Sequence, residues 1–221
     1  MIEKILSYFI PIKIHTVKSE VSKAIEVTWT NGELVMDSEN TNYSYGSLQR
    51  ILRLGLKTIG FKKIVAMNHI LVLGVAGGSV IKTLVDEIKF EGKITGVEID
   101  PNIIKIANQY FNLDEIKQLD IIIDDAFEFV LKTKEKYDLI IIDVFQDTTM
   151  PNFLYETFFT DQVCFLLRSK GVVLFNTMLL NEKQNARNLK YITEFNNVDY
   201  NVKSIPRVER HNELIVIEKI H

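Results

Sequence analysis

The chain has 221 residues, 47% of them hydrophobic and 25% charged, with a formal net charge of -3. That length supports one sizeable core, and that charge balance gives nucleic acid no electrostatic footing as a partner. Cys164 is the single cysteine, so an intramolecular disulfide is excluded.

The first segment, "MIEKILSYFIPIKIHTV", has an apolar stretch broken by Pro11 and Lys13. It is shorter than the roughly 20 apolar residues a bilayer span needs. Glu3 and the lack of a small-residue cleavage site argue against a secretory signal. The expectation is a cytoplasmic protein without a membrane part. In "AIEVTWTNGELVMD" two extended runs flank Asn31-Gly32, the pair best suited to a type I′ hairpin turn. A small N-terminal β-hairpin unit over residues 1–47 is predicted. "SYGSLQRILRLGLKTIG" then sets Leu48, Ile51, Leu52 and Leu56 at helical spacing, with Gly60 as a stop.

Residues 48–221 are read as a second domain, in which strands and helices alternate. "HILVLG" precedes a helix with Val80, Ile81, Leu84, Val85 and Ile88 on one face, and "KITGVEID" precedes "PNIIKIANQYF". "LDIIID" leads into "AFEFVLKT", "DLIIID" into a polar loop and a helix reaching Gly171, and "GVVLFN" into a helix near Lys183 to Phe195. Unbroken apolar strands alternating with helices predict a parallel sheet covered on both faces. "VDYNVKSIPRV" and "NELIVIEKI", joined by "ERHN", predict an antiparallel C-terminal hairpin on the sheet edge. The fold class is therefore α/β, a Rossmann-like doubly wound and mostly parallel sheet.

In such sheets ligands bind beyond the carboxyl ends of the strands, which selects four loops. The first holds Gly74, Gly77 and Gly78 as G-x-x-G-G, either a cradle of backbone amides or a tight turn without a ligand. This is not the G-x-G-x-x-G of dinucleotide binding, which disfavours a nicotinamide-dependent oxidoreductase. At the second, Glu98 suits the two hydroxyls of a ribose, while Asp100 before Pro101 looks like a helix cap. At the third, Asp125 either reads an adenine amino group or, like Asp124, caps the following helix. At the fourth, Asp143 follows four apolar residues, with Gln146 and Asp147 beyond. A carboxylate there can bind a cationic centre or take a proton from an amine. The polar segment Asp37 to Gly46 either closes over the cleft with Tyr43 and Tyr45 or packs as ordinary structure. His15, His69, His211 and His221 have no metal-ligand spacing, so no metal is expected, and His69 reads as structural. No G-x-S-x-G elbow is present.

With "LVLGVAGGS", "VEID", "DDAFEFV", "YDLIIIDVFQD" and "LYETFFTDQVCFLLRSKGVVLFN" in this order, the chain resembles the class I S-adenosylmethionine-dependent methyltransferase fold. Within that fold it resembles the spermidine synthase-like branch. The resemblance implies that Gly74, Val75, Ala76, Gly77, Gly78 and Ser79 cradle the methionine part of a sulfonium nucleoside. It also implies that Glu98, beside Ile99, holds the ribose, that Asp125 with Ala126 reads the adenine, and that Asp143 is the catalytic acidic residue. Aminopropyltransferases carry Gly-Gly-Gly-Asp-Gly in the first loop, and the acidic member corresponds here to Gly77. Tyr45-Gly46-Ser47 replaces Tyr-His-Glu or Tyr-Gln-Glu, the catalytic loop is spaced Asp143…Asp147, and the segment after the fifth strand is short.

These departures touch the transferred group and the acceptor, not the nucleoside. The expectation is a methyltransferase using S-adenosylmethionine on a small, amine-bearing acceptor. Asp143 would be the base or orienting group, with Tyr45, Gln146 and Asp147 around the acceptor. The alternatives are an aminopropyltransferase using decarboxylated S-adenosylmethionine and a non-catalytic nucleoside-binding protein. No nucleic-acid or membrane partner is expected; the oligomeric state is left open, with the resemblance and the N-terminal hairpin compatible with a homodimer.

Overall fold

A computed structural model of the protein describes residues 2–19, 24–38, 42–145 and 149–221. The chain starts with a short helix, α1 (Ile2–Leu6), and an antiparallel sheet paired in sequence order: β1 (Ile12–Lys18), β2 (Ala24–Thr30), β3 (Glu33–Ser38) and β4 (Asn42–Ser44). The predicted hairpin is β2–β3. Asn31 and Gly32 at its turn have φ of 51° and 78°, the two positive angles a type I′ turn needs. Strands β1 and β4 extend this hairpin into a sheet. Ile25, Val27 and Met36 turn inward from it and are fully buried.

Helices α2 (Gly46–Ile59) and α3 (Phe61–Val65) lead into the main sheet. Then come β5 (His69–Leu73), α4 (Ser79–Lys82) with a π-type turn to Glu87, β6 (Lys93–Glu98), α5 (Pro101–Phe111), β7 (Leu119–Ile123) and α6 (Ala126–Lys132). The chain ends with β8 (Tyr137–Ile142), α7 (Thr157–Leu166), β9 (Leu167–Met178), α8 (Glu182–Thr193), β10 (Tyr200–Val208) and β11 (Asn212–Lys219). The seven strands lie in the order β10-β11-β9-β8-β5-β6-β7. All five strands from β5 to β9 are parallel, and β11 is inserted antiparallel to both β9 and β10.

The unbroken apolar strands are explained by burial on two sides. From β5, Ile70 and Val72 enter one core cluster and Leu71 and Leu73 the other; from β8, Leu139 and Ile141 oppose Ile140 and Ile142. The first cluster also receives α2, α4, α5 and the small sheet, while the second receives α6, α7 and α8. Each fully buried aliphatic side chain contributes roughly 1.5–3 kcal/mol, so the two-sided sheet is the main source of stability. Gly55 lets α2 lie close on β9: a Cβ there would be 2.5 Å from Leu174 Cδ1.

The helix expected to reach Gly171 ends at Leu166 instead. Leu167 already pairs with Tyr137 of β8, and Arg168 bridges to Asp138 at 3.0 Å, so strand pairing takes the segment from the helix. Among the described residues no helix is long and apolar enough to cross a membrane.

Candidate active site

The parallel register brings the four predicted loops to one edge. Leu73 pairs with both Val97 and Ile142, and Glu98 pairs with Ile123, so the residues after each strand emerge side by side. Three backbone bonds fasten the tips together: Gly74 N–H to Val97 O (2.9 Å), Asp143 N–H to Leu73 O (2.9 Å) and Asp124 N–H to Glu98 O (3.1 Å). Gly74 is required there, because with φ of 86° a Cβ would lie 2.2 Å from the Asp143 carbonyl oxygen.

The glycine bend is a cradle for negative charge. Ala76 and Gly78 have φ of 46° and 78°, and successive amides in such a bend converge on one point. They already hold a carboxylate, that of Glu98. Its Oε2 accepts from Val75 N (3.2 Å) and Ala76 N (3.0 Å), and its Oε1 accepts from Asp100 N (3.1 Å). Burial pushes the Glu98 pKa up, while the amides of Ala76, Asp100, Ile99 and Val75 pull it down. To accept ribose hydroxyls, Glu98 has to exchange one or more of these amide bonds. Beside it, Ile99 is apolar yet 44% exposed, an open surface at the strand tip.

The capping alternatives are realised. Asp100 caps α5 through Asn102 N (2.8 Å), with Pro101 at the first position. Asp125 caps α6, its Oδ1 accepting from Phe127 N (2.8 Å) and Glu128 N (3.3 Å), and Ala126 is buried behind it. The Asp125 carboxylate therefore serves the helix first, and only its second oxygen is left for a base.

Asp143 is held by Asn176, whose Nδ2 donates to Oδ1 at 2.8 Å. Burial pushes its pKa up to about 7; the Asn176 amide opposes the rise and the charge of Glu98 adds to it. Glu98 and Asp143 thus sense each other across the bend.

The small sheet closes the bend from the other side. Ser44 Oγ accepts from Ser79 N at 3.1 Å. Tyr45 stacks on Phe111 with centroids 4.4 Å apart, and burial, with the Asp86 charge, raises its pKa. A Cβ on Gly77 would meet Ser44 Cβ at 2.7 Å and Tyr45 Cε2 at 3.3 Å. Tyr45 is therefore both a packing residue and a wall of the glycine bend. Gln146 and Asp147 lie outside the described residues, as does the side chain of Tyr43.

Sequence reasoning missed Ser44, Asn176 and Asn212, the last bonded to Asn176 at 2.9 Å. Asn176 had a signal, a polar residue at the tip of the apolar run "GVVLFN", as with Glu98 and Asp143. His69 is structural, bonded to Thr95 at 2.9 Å and packed on Tyr137. No group able to hold a metal ion occurs among the described residues.

A polyamine aminopropyltransferase of Vibrio vulnificus is 31% identical over 152 residues, 67% of this chain and 50% of that protein. The chain spans between about an eighth and a half of the length of the curated relatives it matches. The crystal structure of a probable spermidine synthase from Corynebacterium glutamicum superposes with a TM-score of 0.71 at 18% identity, covering 94% of this chain and 80% of that one. Human methyltransferase-like protein 13 in complex with SAH superposes with a TM-score of 0.65 at 21% identity, covering 80% of this chain and 83% of that one. The two likenesses establish a fold common to spermidine synthases and class I methyltransferases. Residues 52–220 match the spermine/spermidine synthase domain, and the chain belongs to that family.

Proposed function

We propose that the chain is a transferase acting on an adenosine-bearing sulfonium, and that the group it moves is the methyl of S-adenosylmethionine. When bound, the sulfonium supplies an electrophilic carbon. The chain then has only to hold the nucleoside, align a nucleophile and take up a proton, and alignment alone accelerates such displacements greatly. In this reading the amides of Val75 and Ala76, now on the Glu98 carboxylate, and Glu98 itself take the ribose side of the nucleoside, and the exposed Ile99 takes the base. Asp143, with a pKa near 7, accepts the proton of an amine-bearing small molecule. Tyr45, a wall of the glycine bend, lines the side from which that acceptor comes.

Gly77 carries the choice of methyl. An acidic side chain in this bend would repel the carboxylate of S-adenosylmethionine, since like charges at contact are costly. Here the position has no side chain, and the space a Cβ would take is occupied by Ser44. The second reading, aminopropyl transfer from decarboxylated S-adenosylmethionine, is favoured by the name of the Vibrio relative. Calorimetry with both nucleosides separates them. Methyl transfer predicts binding of S-adenosylmethionine at least as tight as that of the decarboxylated form, with S-adenosylhomocysteine as product. Tenfold tighter binding of the decarboxylated form, with methylthioadenosine as product, would overturn the choice.

A further inference from the structure

The edge that carries Asp143 also carries the start of the reversed strand. Because β11 runs antiparallel to its neighbours, its first residue lies beside the ends of the parallel strands, and Asn212 pairs with Met178 of β9. The buried Asn176 side chain joins Asn212 to Asp143. Asn212 Nδ2 donates to Asn176 Oδ1 at 2.9 Å, and Asn176 Nδ2 donates to Asp143 Oδ1 at 2.8 Å.

The direction of this relay is forced by chemistry. An ionised carboxylate only accepts hydrogen bonds, so Asn176 has to turn its NH2 toward Asp143. Its carbonyl oxygen then needs a donor, and Asn212 supplies one. Removing that donor leaves the buried Asn176 oxygen unpaired, a costly state. The Asn176 amide is then free to turn over and present oxygen to Asp143, an arrangement that only a protonated carboxyl can satisfy. The charge acting on Asp143 is that of Glu98, at the end of β6, with β5 between them. Arg187 and Glu213 lie on the other face of the sheet, around Asn188.

We infer that Asn212 is a positioning residue for the reaction: through Asn176 it orients the Asp143 carboxylate and keeps it a proton acceptor. The inference rests on the reading of Asp143 as the base.

The experiment follows the Asp143 carboxyl resonance of the whole protein, labelled with 13C at aspartate carboxyls and titrated with pH. The resonance is identified by its loss in Asp143→Asn. Asn212→Leu removes the donor without adding charge and should raise the Asp143 midpoint by about half a pH unit or more. Asn212→Gln keeps a donor and should return it toward the wild-type value. The rising limb of the kcat profile should move with the midpoint. Circular dichroism confirms folding, and Asn212→Ala replaces the leucine variant if that variant does not fold. An Asp143 midpoint unchanged in the folded leucine or alanine variant overturns the inference. Full turnover by Asp143→Asn overturns the catalytic reading instead, and the titration still decides the relay.

Discussion

Replacing Gly77 by alanine probes the packing that distinguishes this glycine bend from an acidic one. Gly77 is not one of the glycines with positive φ, so alanine needs no change of backbone conformation. The new Cβ, however, would lie 2.7 Å from Ser44 Cβ and 2.9 Å from Ser44 Oγ. Ser44 is 1% exposed and cannot swing into solvent. Overpacking of this kind costs about 1–3 kcal/mol, while the stiffer unfolded chain returns about 0.4–1 kcal/mol. The net destabilisation should be about 1–2 kcal/mol. Ser44→Gly alone costs about 1 kcal/mol, because its hydroxyl accepts from Ser79 N. In the double variant the collision is gone, so its loss should fall short of the sum of the two single losses by the relieved overpacking, about 1–3 kcal/mol. Urea denaturation of the wild type, both single variants and the double variant measures this coupling. A coupling below about 0.5 kcal/mol is what independent sites give, and it would refute the claim that Ser44 occupies the space beside Gly77.

Asp143 predicts a pH dependence in two observables. Its pKa in the folded protein is raised to about 7 from the ordinary 3.8, so the folded state binds this proton more tightly than the unfolded chain does. The associated stability is present below pH about 3.8 and is lost as pH rises toward about 7. Thermal melts of Asp143→Asn should therefore gain on wild type across that window, and a constant difference between the two would contradict the raised pKa. Turnover should rise with pH through an apparent pKa near 7 in wild type, and rate–pH profiles should show that limb missing in Asp143→Asn. On the opposite face, Asn188 is fully buried and donates to Glu213 Oε2 (2.7 Å) and Met178 O (3.1 Å). Asn188→Ala leaves Glu213 Oε2 without this donor, while Ser204 Oγ still holds Oε1, and should cost about 1.5–3 kcal/mol in urea denaturation. A loss under about 1 kcal/mol would mean the network is replaceable by water.

The central strands were legible because their apolar runs, Ile70 to Leu73 and Leu139 to Ile142, are buried on two faces and carry no polar interruption. "HILVL" and "DLIII" could be read as central parallel strands before any pairing was known. The Asn31-Gly32 turn was legible for a different reason, since few residue pairs accept two positive φ angles in succession. The end of α7 was not. Leu166 and Leu167 look alike in sequence, and what turns the chain is the pairing of Leu167 with Tyr137, a contact between residues far apart in the chain. Strand β1 was hidden for a related reason. Its half-exposed residues give only a weak alternation, and its place is set by β2. In the site, the carboxylates at strand tips stood out, since an acidic residue after an apolar run is conspicuous. Their engagements did not. That Glu98 bonds the amides of its own glycine bend and Asp125 caps α6 depends on side-chain direction, which spacing does not encode. Asn212 was invisible because only the reversal of β11 brings it to the edge where Asp143 lies.

That reversal has a practical side. β11 departs at Asn212 from the rim that carries Asp143 and finishes at Lys219 level with the opposite rim, where Ile220 N–H donates to Asp199 O at 2.8 Å. A fluorophore, affinity handle or surface tether attached at Ile220 therefore projects from that opposite rim and leaves the loops that carry Glu98, Asp125 and Asp143 uncovered. The same attachments placed in the turn between Arg207 and His211 would sit on the rim of those loops.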